Sequence, residues 1–265
     1  MTGKALTKEL VVITGASSGI GKEMAIEVAN RGGVPILLAR SEEKMAAISD
    51  QIYLSTNIIA PYYILDVSNN KEVKKVFDTI IEKHGTINVL INNAGFAVFD
   101  SVLNASMEDA EDMFQVNVLG TIACTKAILP HMLKNKSGHI IFVASQAAKL
   151  STPKASVYAA TKHALLGFAN GLRMEVHDDP ITISVVNPGP IRTGFLEAAD
   201  KTGNYQKSVE KFLLDANDVA KKTIQLIARP RRELNLPLWM GVGSMVYQLF
   251  PQIVERIAGK QLRQK

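Results

Sequence analysis

Short apolar runs alternate with longer amphipathic segments along almost the whole of this 265-residue chain. Several runs, such as LVVITGA, PILLAR and HIIFVAS, are apolar on successive residues, which is typical of strands buried on both faces of a parallel sheet. Between the runs, helical spacing puts Ile20, Met24, Val28 and Ala29 on one stripe, and a second helix is predicted over residues 70–83. Six strand candidates and a weaker seventh predict a seven-stranded, doubly wound parallel sheet with helices on both faces. The six are LVVITGA, PILLAR, YYILDV, INVLINNAG, HIIFVAS and TISVVNPG, and the seventh is RRELNLP.

The composition is that of one soluble globular domain. A hydrophobic content of 47% with 21% charged residues favours a sizeable core over disorder, and no linker divides residues 1–265. The basic residues behind the net charge of +5 are spread along the chain, so no nucleic-acid partner is predicted. Cys124 is the single cysteine, and the five histidines are scattered, so we predict no disulfide and no metal site.

The N-terminal region is not expected to be a targeting segment. The run LVVI is too short for the apolar part of a signal peptide and leads directly into a glycine-rich loop. No apolar run reaches the roughly 18 residues that a membrane span needs. We therefore expect a cytoplasmic protein.

Small and polar residues follow each predicted strand. Ligands of a doubly wound sheet bind at the carboxyl ends of its strands, so these residues are candidate site residues. They are the glycine loop after the first strand, Arg40 after the second, Asp66 after the third, Asn92 to Gly95 after the fourth, Ser145 after the fifth, and Asn187 to Gly189 after the sixth.

The glycine loop, TGASSGIGKE at residues 14–23, suggests a nucleotide but fits neither of two common phosphate-binding motifs. Ala16 and Glu23 stand where a P-loop has glycine and Ser or Thr. The dinucleotide motif G-x-G-x-x-G fails by spacing, because the glycines are Gly15, Gly19 and Gly21. Residues elsewhere in the chain must decide which ligand the loop binds.

Tyr158 and Lys162 lie four residues apart, so one helical turn would place both side chains on the same side. Taken alone, the pair also fits a partly buried tyrosine beside a solvated lysine. None of the other five tyrosines has a lysine four residues later, and Tyr158 follows Ser145 by thirteen residues. These two observations favour a chemical role for the pair.

In combination, these motifs resemble the single-domain branch of the short-chain dehydrogenase/reductase family. The family's pattern occurs in order, between about residues 10 and 232, as TGASSGIG, Asp66-Val67, NNAG, Asn117 in NVLG, Ser145, the Tyr158 and Lys162 pair, and NPGPIRT. The resemblance implies a Rossmann-type fold and an enzyme that moves a hydride between a nicotinamide cofactor and a carbonyl or alcohol carbon.

The resemblance implies a catalytic set of four residues. Tyr158 would be the acid and base, with its pKa lowered from about 10 toward neutrality by Lys162 and the oxidised nicotinamide. Ser145 would hydrogen-bond the substrate oxygen and the tyrosine. Asn117 would hold a water that links Lys162 to solvent; the alternative is an asparagine that bonds a local backbone group of its own helix.

The glycine loop has the family's spacing, G-x-x-x-G-x-G, with the pyrophosphate expected at the following helix N-terminus. Lys22 is expected to be a solvated surface residue. Proteins that bind NAD have an acidic residue at the position of Ala39, whereas Arg40 follows here and would attract the extra phosphate of NADP. NADP(H) is therefore predicted over NAD(H). The alternative is a surface arginine that forms an ion pair with Glu42 or Glu43. The resemblance implies these cofactor-binding residues: Gly15, Ser17, Ser18, Gly19, Ile20 and Gly21 in the loop, Arg40, Asp66 and Val67 at the adenine side, Asn93, Ala94 and Gly95 in the cleft, Tyr158 and Lys162, and Gly189, Ile191 and Thr193 at the nicotinamide.

Three segments are expected around the substrate: residues 96–106, 146–157 and 195–214, the last resembling the family's mobile lid. Their apolar side chains predict a ketone or aldehyde, or the matching alcohol, of lipid, steroid-like or ketoacyl type. These side chains are Phe96, Val98, Phe99, Leu150, Phe195 and Leu196. A catalytically silent NADP-binding redox sensor or scaffold of the same fold is the alternative function, although all four catalytic residues are present.

Residues 238–265 form a C-terminal extension that resembles the one in longer members related to hydroxysteroid and ketoacyl reductases. Its apolar part, residues 238–257, could pack on the body beside the lid, form a subunit interface in a homo-oligomeric dimer or tetramer, or lie on a membrane surface as a basic amphipathic helix. Pro251 interrupts a continuous helix and favours packing or oligomerisation.

Overall fold

A computed structural model of the protein describes residues 6–200 and 203–263. Parts of the predicted domain, lid and extension, namely residues 1–5, 201–202 and 264–265, lie outside the described residues. Seven strands form one parallel sheet in the order β3-β2-β1-β4-β5-β6-β7, which confirms the predicted fold. The strands are β1 Leu10–Thr14, β2 Val34–Ala39, β3 Tyr62–Ile64, β4 Val89–Asn92, β5 Gly138–Val143, β6 Ile181–Pro188 and β7 Glu233–Leu236.

Helices cover both faces of the sheet. They are α1 Gly19–Asn30, α2 Glu42–Thr56, α3 Asn70–His84, α4 Met107–Phe114, α5 Thr121–Lys134, α6 Ser156–Glu175, α7 Gly194–Ala199, α8 Asn204–Val209, α9 Ala216–Ala228, α10 Leu238–Leu249 and α11 Pro251–Arg263. A π-helical turn, Gln115–Gly120, joins α4 to α5. One core lies between the sheet and α1, α2 and α9, and a second lies between the sheet and α3, α5 and α6.

The consecutive apolar residues of the central strands are buried as predicted. Val11, Val12 and Ile13 of β1 have no exposed surface, because core side chains cover both faces of the sheet. The edge strand β3 differs from the prediction of a longer strand over YYILDV. It is only three residues long and leaves Tyr62 and Ile64 partly exposed.

One stretch of helix, Met107–Lys134, is long and apolar enough to cross a membrane by length and composition alone. The sequence pattern had indicated no such run, because polar residues interrupt it. Its most apolar 18-residue window is 44% buried inside the fold, where Cys124, Ile128 and Met132 belong to the second core. The stretch comprises α4, the π-helical turn and α5, and it contributes these three residues to the second core.

His139 in β5 predicts a pH dependence of stability. It is 6% exposed, its Nε2 lies 2.9 Å from Ser184 Oγ, and burial lowers its pKa to about 4. The unfolded chain therefore binds a proton at His139 more readily than the folded chain does. The free energy of unfolding should be highest above pH ~6.5 and should decrease by about 3 kcal/mol in all as pH falls toward the folded pKa. Denaturant unfolding of wild type and His139→Gln across this window should show the steeper loss in wild type; equal slopes would contradict the assignment.

Candidate active site

The glycine loop after β1 is held by close backbone packing. Gly15 has a positive φ of 66°, and a Cβ on Gly21 would lie 2.2 Å from the carbonyl oxygen of Gly15. No other residue type could adopt this packing unchanged. The Asn93 side chain, from the end of β4, donates to the carbonyls of Thr14 at 2.9 Å and Gly15 at 3.2 Å. The loop is therefore fixed against the neighbouring strand end.

The N-terminus of α1 fits an anionic ligand. Ser18 precedes the helix in an extended conformation and its side chain caps no amide, and the first turn of α1 carries no acid. Four other helices are capped by the side chains of Ser41, Asn69, Ser106 and Asp215, whereas α6, α8 and α10 also lack a side-chain cap. Backbone amides at a helix start that lack such a cap attract phosphate. The loop and helix therefore suit the pyrophosphate of a dinucleotide.

The remaining loop residues lie around the start of α1. Ser17 is half-buried and Ile20 packs on the core beneath α1. A Cβ on Gly19 would lie 3.6 Å from Cγ2 of Thr193, so the predicted nicotinamide side of the cleft faces the loop. Lys22 was expected to be a solvated surface residue but is half-buried, and its backbone amide donates to the Ser18 carbonyl at 3.2 Å.

Thr14 is a site residue that the sequence reading missed. Its hydroxyl oxygen accepts hydrogen bonds from the backbone amides of Asn93 and Ala94, both at 3.0 Å. The threonine thereby joins the end of β1 to the end of β4 beneath the cofactor cleft. Its position directly before the first glycine of the loop was the available signal.

Arg40 and Asp66 lie at the carboxyl ends of β2 and β3, on the predicted adenine side. Arg40 is exposed, and within the described parts of the chain it forms no salt bridge with Glu42 or Glu43. Burial opposes ionisation of Asp66, but hydrogen bonds from Ser68 and the charge of Arg40 hold its pKa below the usual value. The Arg40 side chain is thus available to an anionic ligand.

Beside this region, the backbone of Gly120 packs against the backbone and side chain of Val67. A Cβ on Gly120 would lie 2.8 Å from the Val67 carbonyl oxygen. The start of α5 therefore holds the segment that follows β3.

Tyr158, Lys162 and Ser145 converge at the end of β5. The first two lie one turn apart on α6 and are only 8% and 5% exposed. Lys162 Nζ is 5.7 Å from the centre of the Tyr158 ring and donates to the Val143 carbonyl at 3.1 Å. Ser145 lies beside Tyr158, where its side chain interacts with the phenol, and its Oγ accepts from the Ala147 amide at 3.1 Å.

In the protein alone, burial acts against the low pKa expected for Tyr158 in the cofactor complex. Burial raises the pKa of this phenol, and the interaction with Ser145 offsets only part of the increase. Burial also lowers the pKa of Lys162 to about 8. Sequence spacing revealed the nearby cation but not the desolvation, which here is the larger effect. Tyr158 therefore carries its proton at neutral pH.

Asn117 sits in the π-helical turn and has no exposed surface. Its Oδ1 accepts from the Phe96 amide at 2.9 Å, and its Nδ2 donates to the Phe96 carbonyl at 2.9 Å and to Thr161 Oγ1 at 3.1 Å. The side chain thus bonds a backbone segment that is distant in sequence. It does not bond a backbone group of its own helix, which was the alternative. A π turn within a helix often marks a functional position.

Gly95 brings Asn117 and Lys162 together. A Cβ on Gly95 would lie 2.9 Å from Asn117 Oδ1 and 3.7 Å from Lys162 Nζ. The absence of a side chain at this glycine therefore leaves both groups beside the cleft.

The segment after β6, on the predicted nicotinamide side, is held by contacts with β7 and α10. The Gly189 amide donates to the Leu236 carbonyl at 2.6 Å, and a Cβ on Gly189 would lie 2.7 Å from Met240 Sδ. Ile191 pairs with Leu214 in an isolated bridge, which joins this segment to the end of residues 195–214. The C-terminal helix α10 therefore backs the site.

A buried amide cluster beside Ser145 was not foreseen. Gln146 Nε2 donates to the Asn187 carbonyl at 2.8 Å, and Asn187 Nδ2 donates to Asn235 Oδ1 at 3.1 Å and to Glu233 Oε2 at 3.2 Å. Lys149 forms an ion pair with the same Glu233. These residues lie up to 89 positions apart in sequence, so no local motif could have revealed them.

Aromatic rings surround Tyr158 on its open side. Phe99 and Phe195 lie 5.8 Å and 6.0 Å from the Tyr158 ring, and Tyr205 of α8 lies 4.6 Å from Phe99. Phe96 and Val98 pack in the same cluster, as predicted. Leu150 and Leu196, also predicted, are not part of it. The wall of the site is mainly apolar.

Residues 195–214 contain α7, α8 and a short 3-10 turn, Glu210–Phe212. The Phe99 amide donates to the Ala199 carbonyl at 2.9 Å, and the Tyr205 amide donates to Asp200 Oδ2 at 2.7 Å. The described part of this segment, the predicted lid, therefore packs against the aromatic cluster. No group of three or more His, Cys, Asp or Glu side chains able to hold a metal occurs among the residues that the structure describes.

Comparison with known proteins is consistent with this geometry. The family model of the short chain dehydrogenases matches residues 9–204, a span that ends before residue 232 but includes NPGPIRT. A relative from Arabidopsis thaliana, 11-beta-hydroxysteroid dehydrogenase-like 3, is 35% identical over 260 residues, which cover 94% of this chain and 80% of the relative.

Two solved structures share the fold closely. A short chain dehydrogenase/reductase from Burkholderia phymatum, in complex with NAD, matches with a TM-score of 0.84 at 25% identity and covers 96% of each chain. ElxO with NADP bound matches with a TM-score of 0.79 at 30% identity, over 87% of this chain and 97% of that one. Similar proteins thus bind either nicotinamide cofactor.

Proposed function

The chain belongs to the short-chain dehydrogenase/reductase family and is an oxidoreductase that uses a nicotinamide cofactor; from this we propose that it reduces an apolar ketone or aldehyde with NADPH. One observation carries the proposal most strongly. Tyr158 is buried beside Ser145 and packs against the rings of Phe99 and Phe195 at the carboxyl edge of the sheet.

The chain's own residues provide places for each part of the cofactor. The turn at Ser18 would hold the pyrophosphate, Arg40 the phosphorylated ribose, Asp66 and Val67 the adenine, and the Gly189–Thr193 segment the nicotinamide. The bound cofactor supplies the hydride. The protein's task is then to orient the carbonyl and provide one proton.

Tyr158 provides that proton. Because burial raises its pKa, the phenol is protonated at neutral pH and acts as the acid that donates to the substrate oxygen as negative charge develops there. Ser145 Oγ hydrogen-bonds the same oxygen and stabilises that charge. A protonated phenol suits reduction better than oxidation, which needs the base form.

Lys162 and Asn117 resupply the proton. The Lys162 ammonium is buried behind the tyrosine with a pKa lowered to about 8, so it gives up a proton more readily than a solvated lysine does. Asn117 has both amide hydrogens engaged by Phe96 and Thr161. A water would therefore use the remaining acceptor capacity of its side chain or its backbone carbonyl.

The aromatic wall defines the substrate class. Phe99, Phe195 and Tyr205 present rings rather than charges to Tyr158, which favours a bulky apolar carbonyl compound of lipid, steroid-like or ketoacyl type. The similarity to a relative named for hydroxysteroid dehydrogenase supports the same class. NADP(H) preference is supported by exposed Arg40, since a guanidinium matches a phosphate.

The pH dependence of kcat/KM for reduction should reflect the ionisation of Lys162. We expect kcat/KM to fall as pH rises above about 8, because deprotonated Lys162 can no longer return a proton to Tyr158, and kcat/KM reflects groups of the free enzyme. Steady-state rates from pH 6 to about 10 test this, with samples returned to neutral pH to verify that the protein is intact. A flat profile would remove Lys162 from the relay.

A carbonyl panel tests the proposed function. NADPH consumption is followed with long-chain aldehydes, steroid ketones and ketoacyl thioesters, with small charged keto acids as the contrasting class. Turnover of apolar members above the no-carbonyl background supports the proposal. Tight NADPH binding without turnover of any member would instead favour the silent sensor or scaffold. A homo-oligomer and a cytoplasmic location remain predictions.

A further inference from the structure

Helix α10 is apolar almost all the way round. Residues 238–249 contain no charged side chain. The helix packs on the domain through Gly241 and Ser244, the buried positions, and a Cβ on Gly241 would lie only 2.6 Å from Asn235 Cβ. The outward side of a helix on a soluble domain is normally polar. Here the outward residues are Leu238, Trp239, Val242, Met245, Val246 and Leu249, each 44–72% exposed.

Helix α11 extends this apolar surface. Phe250, at the break before Pro251, is 54% exposed, and Ile253 and Ile257 are 57% and 75% exposed. The two isoleucines are four residues apart, so they lie on one side of α11. We call these three residues and the six of α10 the C-terminal apolar face. Contiguous exposed apolar surface of this kind marks an interaction site.

The charges around the face identify its partner. Residues 238–265 carry four basic residues, Arg256, Lys260, Arg263 and Lys265, against one acid, Glu255, for a net charge of +3. Glu255 accepts a hydrogen bond from the Tyr247 hydroxyl at 2.9 Å, whereas exposed Arg256 has no salt bridge within the described ranges. Apolar residues beside a basic segment complement an anionic lipid surface.

A second copy of the chain fits this face less well. A two-fold contact would bring two segments of charge +3 together, and like charges across an interface cost affinity. The chain's one tryptophan, Trp239, lies on the face and is 57% exposed. Tryptophan is enriched where protein meets the membrane–water interface.

We propose that the C-terminal apolar face docks the protein on an anionic lipid surface. Trp239 and its apolar neighbours enter the headgroup region while the basic residues of the extension contact lipid phosphates. Phe212, at the end of the lid, lies edge-on to Trp239 at 5.8 Å and is 49% exposed. The lid end therefore borders the lipid, although docking does not depend on any catalytic step.

Trp239 allows a direct test, because it is the single tryptophan of the chain and all tryptophan fluorescence therefore comes from the face. Full-length protein is titrated with phosphatidylglycerol-rich vesicles and with phosphatidylcholine vesicles, and emission is recorded beside co-sedimentation. We expect a blue shift and pelleting with the anionic vesicles that weaken as salt is raised. Arg256→Gln should weaken binding about fivefold, the effect of one basic residue near a lipid surface.

Two variants distinguish vesicle binding through the C-terminal apolar face from nonspecific adsorption of the protein to vesicles. Leu249→Glu should reduce vesicle binding at least tenfold, whereas Leu54→Glu should not. Leu54 is 85% exposed on α2 at the opposite edge of the sheet, so it is the matched control. NADPH binding verifies that both variants are folded, which keeps this test separate from the proposed reductase activity.

Three outcomes would overturn the proposal. The first is no anionic-vesicle binding by wild type. The second is equal binding to both vesicle types with no effect of salt or Arg256→Gln. The third is a concentration-dependent dimer that Leu249→Glu dissociates, without lipid binding, which would make the face a contact between copies.

Discussion

Tyr158→Phe is expected to lower kcat/KM for carbonyl reduction by about 10³-fold, the usual scale for losing a positioned general acid. The substitution removes only the hydroxyl. The ring that packs between Phe99 and Phe195 remains, so the pocket and the cofactor cleft should keep their shape. Steady-state rates and NADPH affinity, measured on the same preparation, should show lost turnover with retained binding.

Tyr63→Phe is the matched control for that loss. The Tyr63 hydroxyl also makes a side-chain hydrogen bond, with His84 at 2.7 Å, but it lies on edge strand β3, away from Ser145. Its removal should leave kcat/KM unchanged. If Tyr158→Phe retained wild-type turnover, or if both variants lost it equally, Tyr158 would not be the acid.

Arg40→Asp is expected to shift the ratio of kcat/KM with NADPH to that with NADH by about 10²-fold or more toward NADH. Losing a charge-assisted hydrogen bond costs about 1.5–3 kcal/mol, and the new carboxylate would repel the extra phosphate of NADPH while accepting ribose hydroxyls from NADH. Both effects change the ratio in the same direction. Rates with each cofactor at one carbonyl concentration give the result.

Arg229→Asp, at another exposed arginine at the end of α9, makes the same charge change away from the cleft. It should leave the cofactor ratio as in wild type. An unchanged ratio in Arg40→Asp would mean that other groups select the cofactor, and a change in both variants would point to net charge rather than to local recognition.

The sequence predicted those parts of the site that are contiguous along the chain. The glycine loop, the Tyr158 and Lys162 pair, and the strand-end residues follow from local spacing together with the rule that parallel strands end at one edge. Thr14 could have been added, because it adjoins the loop. Contiguous patterns of this kind also predicted the buried central strands.

Contacts between residues distant in sequence, and the burial of individual side chains, could not be predicted from the sequence. Asn117 bonds Phe96 and Thr161, which lie 21 and 44 residues away, and no spacing rule connects them. The pKa of Tyr158 depends on how completely α6 packs against its neighbours, whereas the sequence shows only that a lysine is near. Similarly, Pro251 predicted the break between α10 and α11, but which side of α10 remains exposed depends on packing at Gly241.

Hydride transfer itself provides the most direct test of the central claim. NADPH in which deuterium replaces both hydrogens on the reduced carbon of the nicotinamide ring is incubated with wild-type protein and the best carbonyl of the panel. The product is analysed by mass spectrometry and NMR. We predict one deuterium per product molecule, on the carbon that becomes the alcohol, with none formed by Tyr158→Phe above background. Alcohol product without deuterium at that carbon would contradict the account.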